Sequence, residues 1–332
     1  MSSTDKRFLF ATDFSIFSDY ALEHALYWSK AFGAALDCVH VIAVHRHLDI
    51  EGAVIETFLE EERKVTKPKF DALISKIQKE AGGCVGHYLT GIPDEVISKL
   101  ALETGADCIF MGTRGWRGMD RILLGSTAER VVMTAPCPVL TVRTDSGTGG
   151  TSLKAEESSL KASPHNSIPS VSPPSHILVP IDLYDGSKDA VEYAFQVTSG
   201  FDVPVTLLHV RDPITYSLDF SLTLVQIEKE KTMEIEHRLR NLCGRFKEKG
   251  VGASYLMKVP PTPDAILQTV EECGADLIIM GTHGRRGFSR LLMGSVASAV
   301  LRKSSVPVLT VKAGIFSSDH PRRRKDSVHP TS

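Results

Sequence analysis

The sequence has no CxxC pair and no dense cysteine spacing. Its six cysteines (Cys38, Cys84, Cys108, Cys137, Cys243 and Cys273) are scattered along 332 residues. That argues against a zinc ribbon or a disulfide scaffold and points to free, partly buried thiols in a reducing compartment. No apolar run approaches the roughly 18 residues that a membrane span needs. The short run Phe8–Ala11 is broken by Asp13, so no signal-peptide core is expected, and a cytoplasmic location is. Neither sign of charge is in excess: 38 Lys and Arg stand against 40 Asp and Glu, a net charge of −2. A bulk polycation that binds nucleic acid non-specifically is therefore not the reading. There is no G-x4-G-K-[ST] loop and no catalytic-base constellation. What remains is an ordinary globular composition, 42% hydrophobic and 23% charged, in a chain long enough for two domains.

The chain repeats itself at an offset of 169. Asp13 falls on Asp182, Ser18 on Ser187, Glu23 on Glu192, and His40-Val41 on His209-Val210. In the window Gly105–Val142 against Gly274–Val311, 21 of 38 positions are identical, so the likeness is duplication rather than shared composition. The period is far too long for a solenoid, and each copy is expected to be a domain: residues 1–143 and 176–313. Between them, residues 144–175 are rich in Ser, Pro, Gly and Thr and nearly free of large apolar groups, which predicts a disordered linker. Residues 314–332 carry Arg322, Arg323, Arg324 and Lys325 and read as a solvated, flexible basic tail.

Each copy alternates short apolar runs with helical patterns. First strands are expected at Phe8–Ala11 and Ile177–Val179, second strands at Ala35–Val44 and Pro204–Val210, and third strands near Val85–Thr90 and Ala253–Lys258. Fourth strands follow at Asp107–Met111 and Asp276–Met280, and fifth strands at Pro138–Val142 and Pro307–Val311. Pro68 is expected to bend or split the long helix of the first copy. Thr262 is expected to cap a helix with Pro263 in its first position. The alternation implies an α/β, doubly wound parallel sheet covered on both faces.

After each fourth strand comes a glycine pattern: Gly112-x2-Gly115-x9-Gly125-Ser126, and Gly281-x2-Gly284-x9-Gly294-Ser295. Ligands of doubly wound sheets bind beyond the carboxyl ends of the strands. Glycines there permit close backbone approach, and a Gly-Ser opening a helix offers free N–H groups to phosphate oxygens. The spacers are basic, with Arg117 and Arg121 in one copy and Arg285, Arg286 and Arg290 in the other, which suits a polyphosphate. The ligand-free alternative is a capping box, Ser126 with Glu129, and plain turns. The second copy has Ser298 in place of Glu129 yet keeps every glycine, so the shared feature is the glycine pattern. Asp13 and Asp182 end the first strands, where a carboxylate accepts from ribose hydroxyls or an adenine amino group, or else makes an Asx-turn or helix cap. His40 and His209 lie within apolar strands and read as satisfied core residues.

These residues resemble the universal stress protein family in its tandem form. The resemblance rests on "ATDFS" and "VPIDLYDGS" at the first strands, "HV" closing the second, "GTRG" and "GTHG" after the fourth, and "APCPVLTV" and "SVPVLTV" at the ends. It implies two tandem Rossmann-like domains of the adenine nucleotide alpha hydrolase-like kind, each a parallel five-stranded sheet of order 3-2-1-4-5. It implies ATP, with or without Mg2+, held by the G-2x-G-9x-G-[S/T] motif in both copies. Carried over position by position, the binding residues are Asp13, Val41, Met111, Gly112, Gly115, Gly125, Ser126 and Thr127 in the first copy. In the second they are Pro180, Asp182, Val210, Met280, Gly281, Gly284, Gly294, Ser295 and Val296. Family members pair through their fifth strands, so the resemblance also implies an internal pseudo-dimer of the two copies, with a homodimer as a further arrangement. The expected function is a cytoplasmic, ATP-binding regulator or stress-response factor that acts through conformation or partner contact. A slow ATPase and a nucleotide-free interaction module are the alternatives.

Overall fold

A computed structural model of the chain describes residues 6–44, 52–113, 124–143, 171–183, 185–211, 222–282 and 293–316. The first half runs β1 (Arg7–Thr12), α1 (Ile16–Phe32), β2 (Ala35–Ala43), α2 (Gly52–Ala81), β3 (Gly86–Gly91), α3 (Pro93–Thr104), β4 (Cys108–Gly112), α4 (Ser126–Thr134) and β5 (Val139–Val142). The second half repeats it: β6 (Ile177–Pro180), α5 (Asp185–Phe201), β7 (Val205–Val210), α6 (Leu222–Glu248), β8 (Ala253–Lys258), α7 (Thr262–Cys273), β9 (Leu277–Gly281), α8 (Ser295–Lys303) and β10 (Val308–Val311). Among the described residues no helix is long and apolar enough to cross a membrane.

Strand residues alternate between two cores. In β1, Phe8 and Phe10 face α1 and α2, while Leu9 and Ala11 enter the core on the other face with Ile97 of α3 and Val131 of α4. Both faces are covered, so the strand reads as an unbroken apolar run rather than an alternating one. α1 carries Ala21, Leu22, Ala25, Leu26 and Trp28 on its buried stripe. Its N-cap is Ser15, whose Oγ accepts from the Ser18 N–H, and Gly33 ends it in the left-handed region at φ 60°.

The strand order within each half is 3-2-1-4-5, but the expectation of two separate parallel sheets is corrected. The strands form one ten-stranded mixed sheet of order β3-β2-β1-β4-β5-β10-β9-β6-β7-β8. β5 and β10 pair antiparallel, with Leu140 opposite Leu309, and all other neighbours are parallel. Two threonines stitch this seam reciprocally. Thr141 Oγ1 donates to the Val308 carbonyl and Thr310 Oγ1 to the Val139 carbonyl, each at 3.1 Å and fully buried. Antiparallel pairing at the seam has a consequence for sites: the carboxyl edges of the two halves point to opposite ends of the sheet.

The halves also meet above the seam. Phe201, at the end of α5, packs edge-on against Phe32 and Trp28 of α1, with ring centroids 5.1 Å apart in both pairs. A side chain at Gly200 would run into the Phe32 ring, which explains the glycine there. Two other expectations are corrected. α2 runs from Gly52 to Ala81 without a break at Pro68. Phe70 and Ile77, both buried just beyond the proline, anchor it to the core and override the local penalty. α7 begins one residue early. Pro261 is its N-cap, Thr262 is already helical, and no side chain caps it. The first-turn N–H groups have no intrahelical acceptor, so proline is accommodated at the second helical position as well as the first.

Candidate functional site

The carboxyl edge of the first half is assembled by backbone hydrogen bonds. Register places Thr12 beside His40 and Ala11 beside Met111, so Asp13, just past β1, comes level with Val41 near the end of β2 and with the end of β4 at Gly112. The Thr113 N–H donates to the Val142 carbonyl at 2.9 Å, and the Gly125 N–H donates to the Thr113 carbonyl at 2.8 Å. The start of α4, with Ser126 and Thr127, is thereby tied to the residue that follows Gly112. The second half repeats the construction. The Thr282 N–H donates to the Val311 carbonyl and the Gly294 N–H to the Thr282 carbonyl, at 3.1 and 2.9 Å. Pro180, Asp182, Val210, Met280, Gly281, Ser295 and Val296 gather at that edge in the same way. Gly115 and Gly284, with the basic spacers, lie outside the described residues.

The two helix N-termini are the feature that can hold a phosphate. Gly125 caps α4 at φ −62°, ψ 139°, and Gly294 caps α8 at φ −61°, ψ 144°, in both cases with no side-chain capping bond. These are ordinary extended conformations that any residue adopts. Glycine is not required there by the backbone, so its use leaves the first-turn N–H groups uncovered. The capping-box alternative is overturned, because Ser126 is the first helical residue and not the cap. Ser126 and Ser295 are both exposed, and Thr127 and Val296 half-buried. An anion fits such a donor set.

Other residues take more mixed roles. Met111 and Met280 are buried in the core, which leaves their main chain to face a ligand. Gly112 has a packing reason: an added Cβ would stand 2.8 Å from Phe17 Cβ and 2.9 Å from its carbonyl carbon. Asp13 is exposed and accepts from the Ser15 N–H (3.1 Å) and Ser15 Oγ (2.6 Å), an Asx-turn that orients the carboxylate. In the second half Ser187 does this work, donating to Asp182 Oδ1 at 2.8 Å. Its repeat partner Ser18 instead donates to the Ser15 carbonyl at 2.7 Å and meets Thr12 Oγ1 at 3.1 Å.

Two features of this edge were not assigned to it from the sequence. His40 Nδ1 donates to the Thr12 carbonyl and His209 Nδ1 to the Ile181 carbonyl, both at 2.9 Å. Each buried imidazole thus fixes the peptide immediately before an edge aspartate. Burial lowers the His40 pKa from its usual value, against the opposing effect of the Thr12 carbonyl. The residues after the aspartates, Phe14 and Leu183, sit at φ 61° and 62°. A left-handed bulky residue costs roughly 1–2 kcal/mol, and the same cost recurs at the same point in both halves. The signal available in sequence was the repeated His at a strand end, but its acceptor lies 28 positions away.

The fold and the paired edges define a class: a duplicated, doubly wound α/β protein with a helix N-terminus open at the carboxyl edge of each half. The profile of the universal stress protein family matches residues 5–143 and 174–312, and the chain belongs to that family. It is 26% identical over 318 residues to a universal stress protein of Mycolicibacterium smegmatis, covering 94% of this chain and 98% of that one. The universal stress protein MJ0531 of Methanocaldococcus jannaschii is 36% identical over 143 residues, 42% of this chain and 82% of the relative. The crystal structure of a universal stress protein from Archaeoglobus fulgidus superposes with a TM-score of 0.62 at 23% identity, covering 92% of this chain and 96% of that one, a likeness of fold.

Proposed function

We propose that this universal stress protein binds ATP at both carboxyl edges and acts in the cytoplasm as a nucleotide-dependent regulator, through conformation or partner contact rather than turnover. The observation that carries the reading is the repeated glycine N-cap. Gly125 and Gly294 open their helices in an extended conformation with no side-chain cap, beside edge aspartates oriented by serines. In this reading the triphosphate lies on the first turns of α4 and α8, with Ser126, Thr127, Ser295 and Val296 at that end. Asp13 and Asp182 take the ribose, and Val41 and Val210 flank the base. Gly115 and Gly284 allow the loop main chain to approach the phosphates. The pairing of β5 with β10 supports an internal pseudo-dimer, since it covers the strand edges that a second chain would otherwise need. Calorimetric titration with ATP and GTP tests the reading. Saturable ATP binding, with GTP at least about tenfold weaker, is expected; no heat with either nucleotide would overturn it.

A further inference from the structure

At the carboxyl edge of the first half, the antiparallel seam sets opposite ends of two helices side by side. α4 opens there at Gly125, while α8, which opens at Gly294 on the far edge, ends there at Lys303. Both lie on one face of the sheet, since Ala128 and Val131 of α4 share a core with Ala297 and Val300 of α8. Each of these 9-residue helices therefore has its N-terminus at one nucleotide edge and its C-terminus at the other.

Arg143, half-buried, stands between the two ends. It follows β5, and strand alternation puts it on the Val139 face, the face of α4 and α8, with Leu140 and Val142 on the other. Its Nη1 donates to the Arg302 carbonyl in the last turn of α8. The last carbonyls of a helix have no intrahelical donor and carry its negative end, so a guanidinium there acts as a C-terminal cap. The cations of α8 itself are turned elsewhere: Arg302 Nε donates to Ser298 Oγ at 3.1 Å, and Lys303 Nζ reaches Asp264 Oδ1 at 3.4 Å. On its other side Arg143 borders the first phosphate-binding turn. The Val142 carbonyl accepts from Thr113 and the Thr113 carbonyl from Gly125, so Thr113 alone separates this strand from the N-cap of α4. A guanidinium bonds a phosphate more strongly than a neutral carbonyl, because both partners are then charged. We infer, on the ATP reading above, that Arg143 is a shared contact that couples the two nucleotide sites. Without nucleotide it caps α8. With a triphosphate on the α4 N-terminus it turns to the phosphates, and the last turn of α8, which carries the second site at its other end, loosens. The nucleotide has different affinity for the two positions of one side chain, which is what a shift between them requires. The coupling is negative, and linkage makes it reciprocal.

The test uses the full chain with Gly284→Val, which closes the second site so that ATP fills the first alone. Binding is read by calorimetry, and opening of α8 by amide hydrogen exchange at Val300–Lys303. ATP is expected to speed exchange at those amides about fivefold, and to leave it unchanged when Arg143→Met is added, since the cap is then already lost. Arg143→Met is also expected to weaken ATP binding at the first site about tenfold, with Arg143→Lys in between. Binding heat with unaltered α8 exchange would overturn the coupling while sparing the ATP reading. So would a first-site affinity indifferent to Arg143→Met. No heat from the Gly284→Val chain would overturn both.

Discussion

Replacing Gly294 with Asp should move stability and nucleotide affinity in opposite directions. At φ −61°, ψ 144°, the position already has an N-cap backbone conformation that an aspartate adopts without strain. The new carboxylate would accept first-turn N–H bonds of α8, a gain of a few tenths of a kcal/mol over glycine. Its charge at the helix N-terminus adds about 0.3–1 kcal/mol. Together these amount to about 1 kcal/mol, an upward shift of roughly 1–3 °C in a chain of this size. The same carboxylate would take the donors proposed for the triphosphate, each worth about 1.5–3 kcal/mol to a charged acceptor. It would also place like charges about 5 Å apart, costing about 3 kcal/mol at an effective dielectric of about 20. The combined loss exceeds about 3 kcal/mol, more than a hundredfold in affinity. The assay pairs a thermal melt without nucleotide with ATP calorimetry, in a Gly125→Asp background that isolates the second site. A lower melting midpoint would mean that the glycine serves the turn. An unchanged affinity would mean that phosphate does not sit at this helix.

Gly112→Ala should lower stability by about 1–3 kcal/mol in urea unfolding, because its Cβ would collide with Phe17 main chain and Cβ; a neutral result would refute the packing account. Thr141→Val and Thr310→Val each remove a hydroxyl that bridges the seam, and each should cost about 0.5–1.5 kcal/mol, read as a lower urea midpoint. Burial lowers the His24 pKa from 6.5 to about 4, with Asp276 opposing. The unfolded chain takes up that proton first, so this contribution is present above pH 6.5 and is lost as pH falls toward 4. Stability measured across that window should flatten in His24→Gln, and an unaltered slope would show that His24 is not its source.

Much of the fold was legible because the chain states it twice. The glycine windows, the strand-end aspartates and the order of apolar runs recur at one offset, and two readings of a short strand constrain each other. What was not legible depends on contacts remote in sequence. Apolar β5 and β10 read as edges that must be covered, but only the antiparallel register reveals the crossed bonds of Thr141 and Thr310 that merge two sheets into one. Pro68 predicts a bend or a split, and the split is prevented by the packing of Phe70 and Ile77. Gly112 belongs to a ligand pattern by spacing, while the structure gives it a steric neighbour, Phe17, from a different element. Ser18 and Ser187 align in sequence, yet only Ser187 reaches the aspartate, because Ser15 has taken that role in the first half. The capping-box alternative fails because Ser126 and Glu129 have the right spacing one residue too far into the helix.

Native mass spectrometry of the full chain with ATP tests the central claim most directly, since it counts nucleotides and chains together. The account predicts two ATP on the 36.3 kDa chain, one on Gly294→Asp, and none on the Gly125→Asp, Gly294→Asp double variant. A chain that carries no ATP, or a double variant that still carries two, would contradict it.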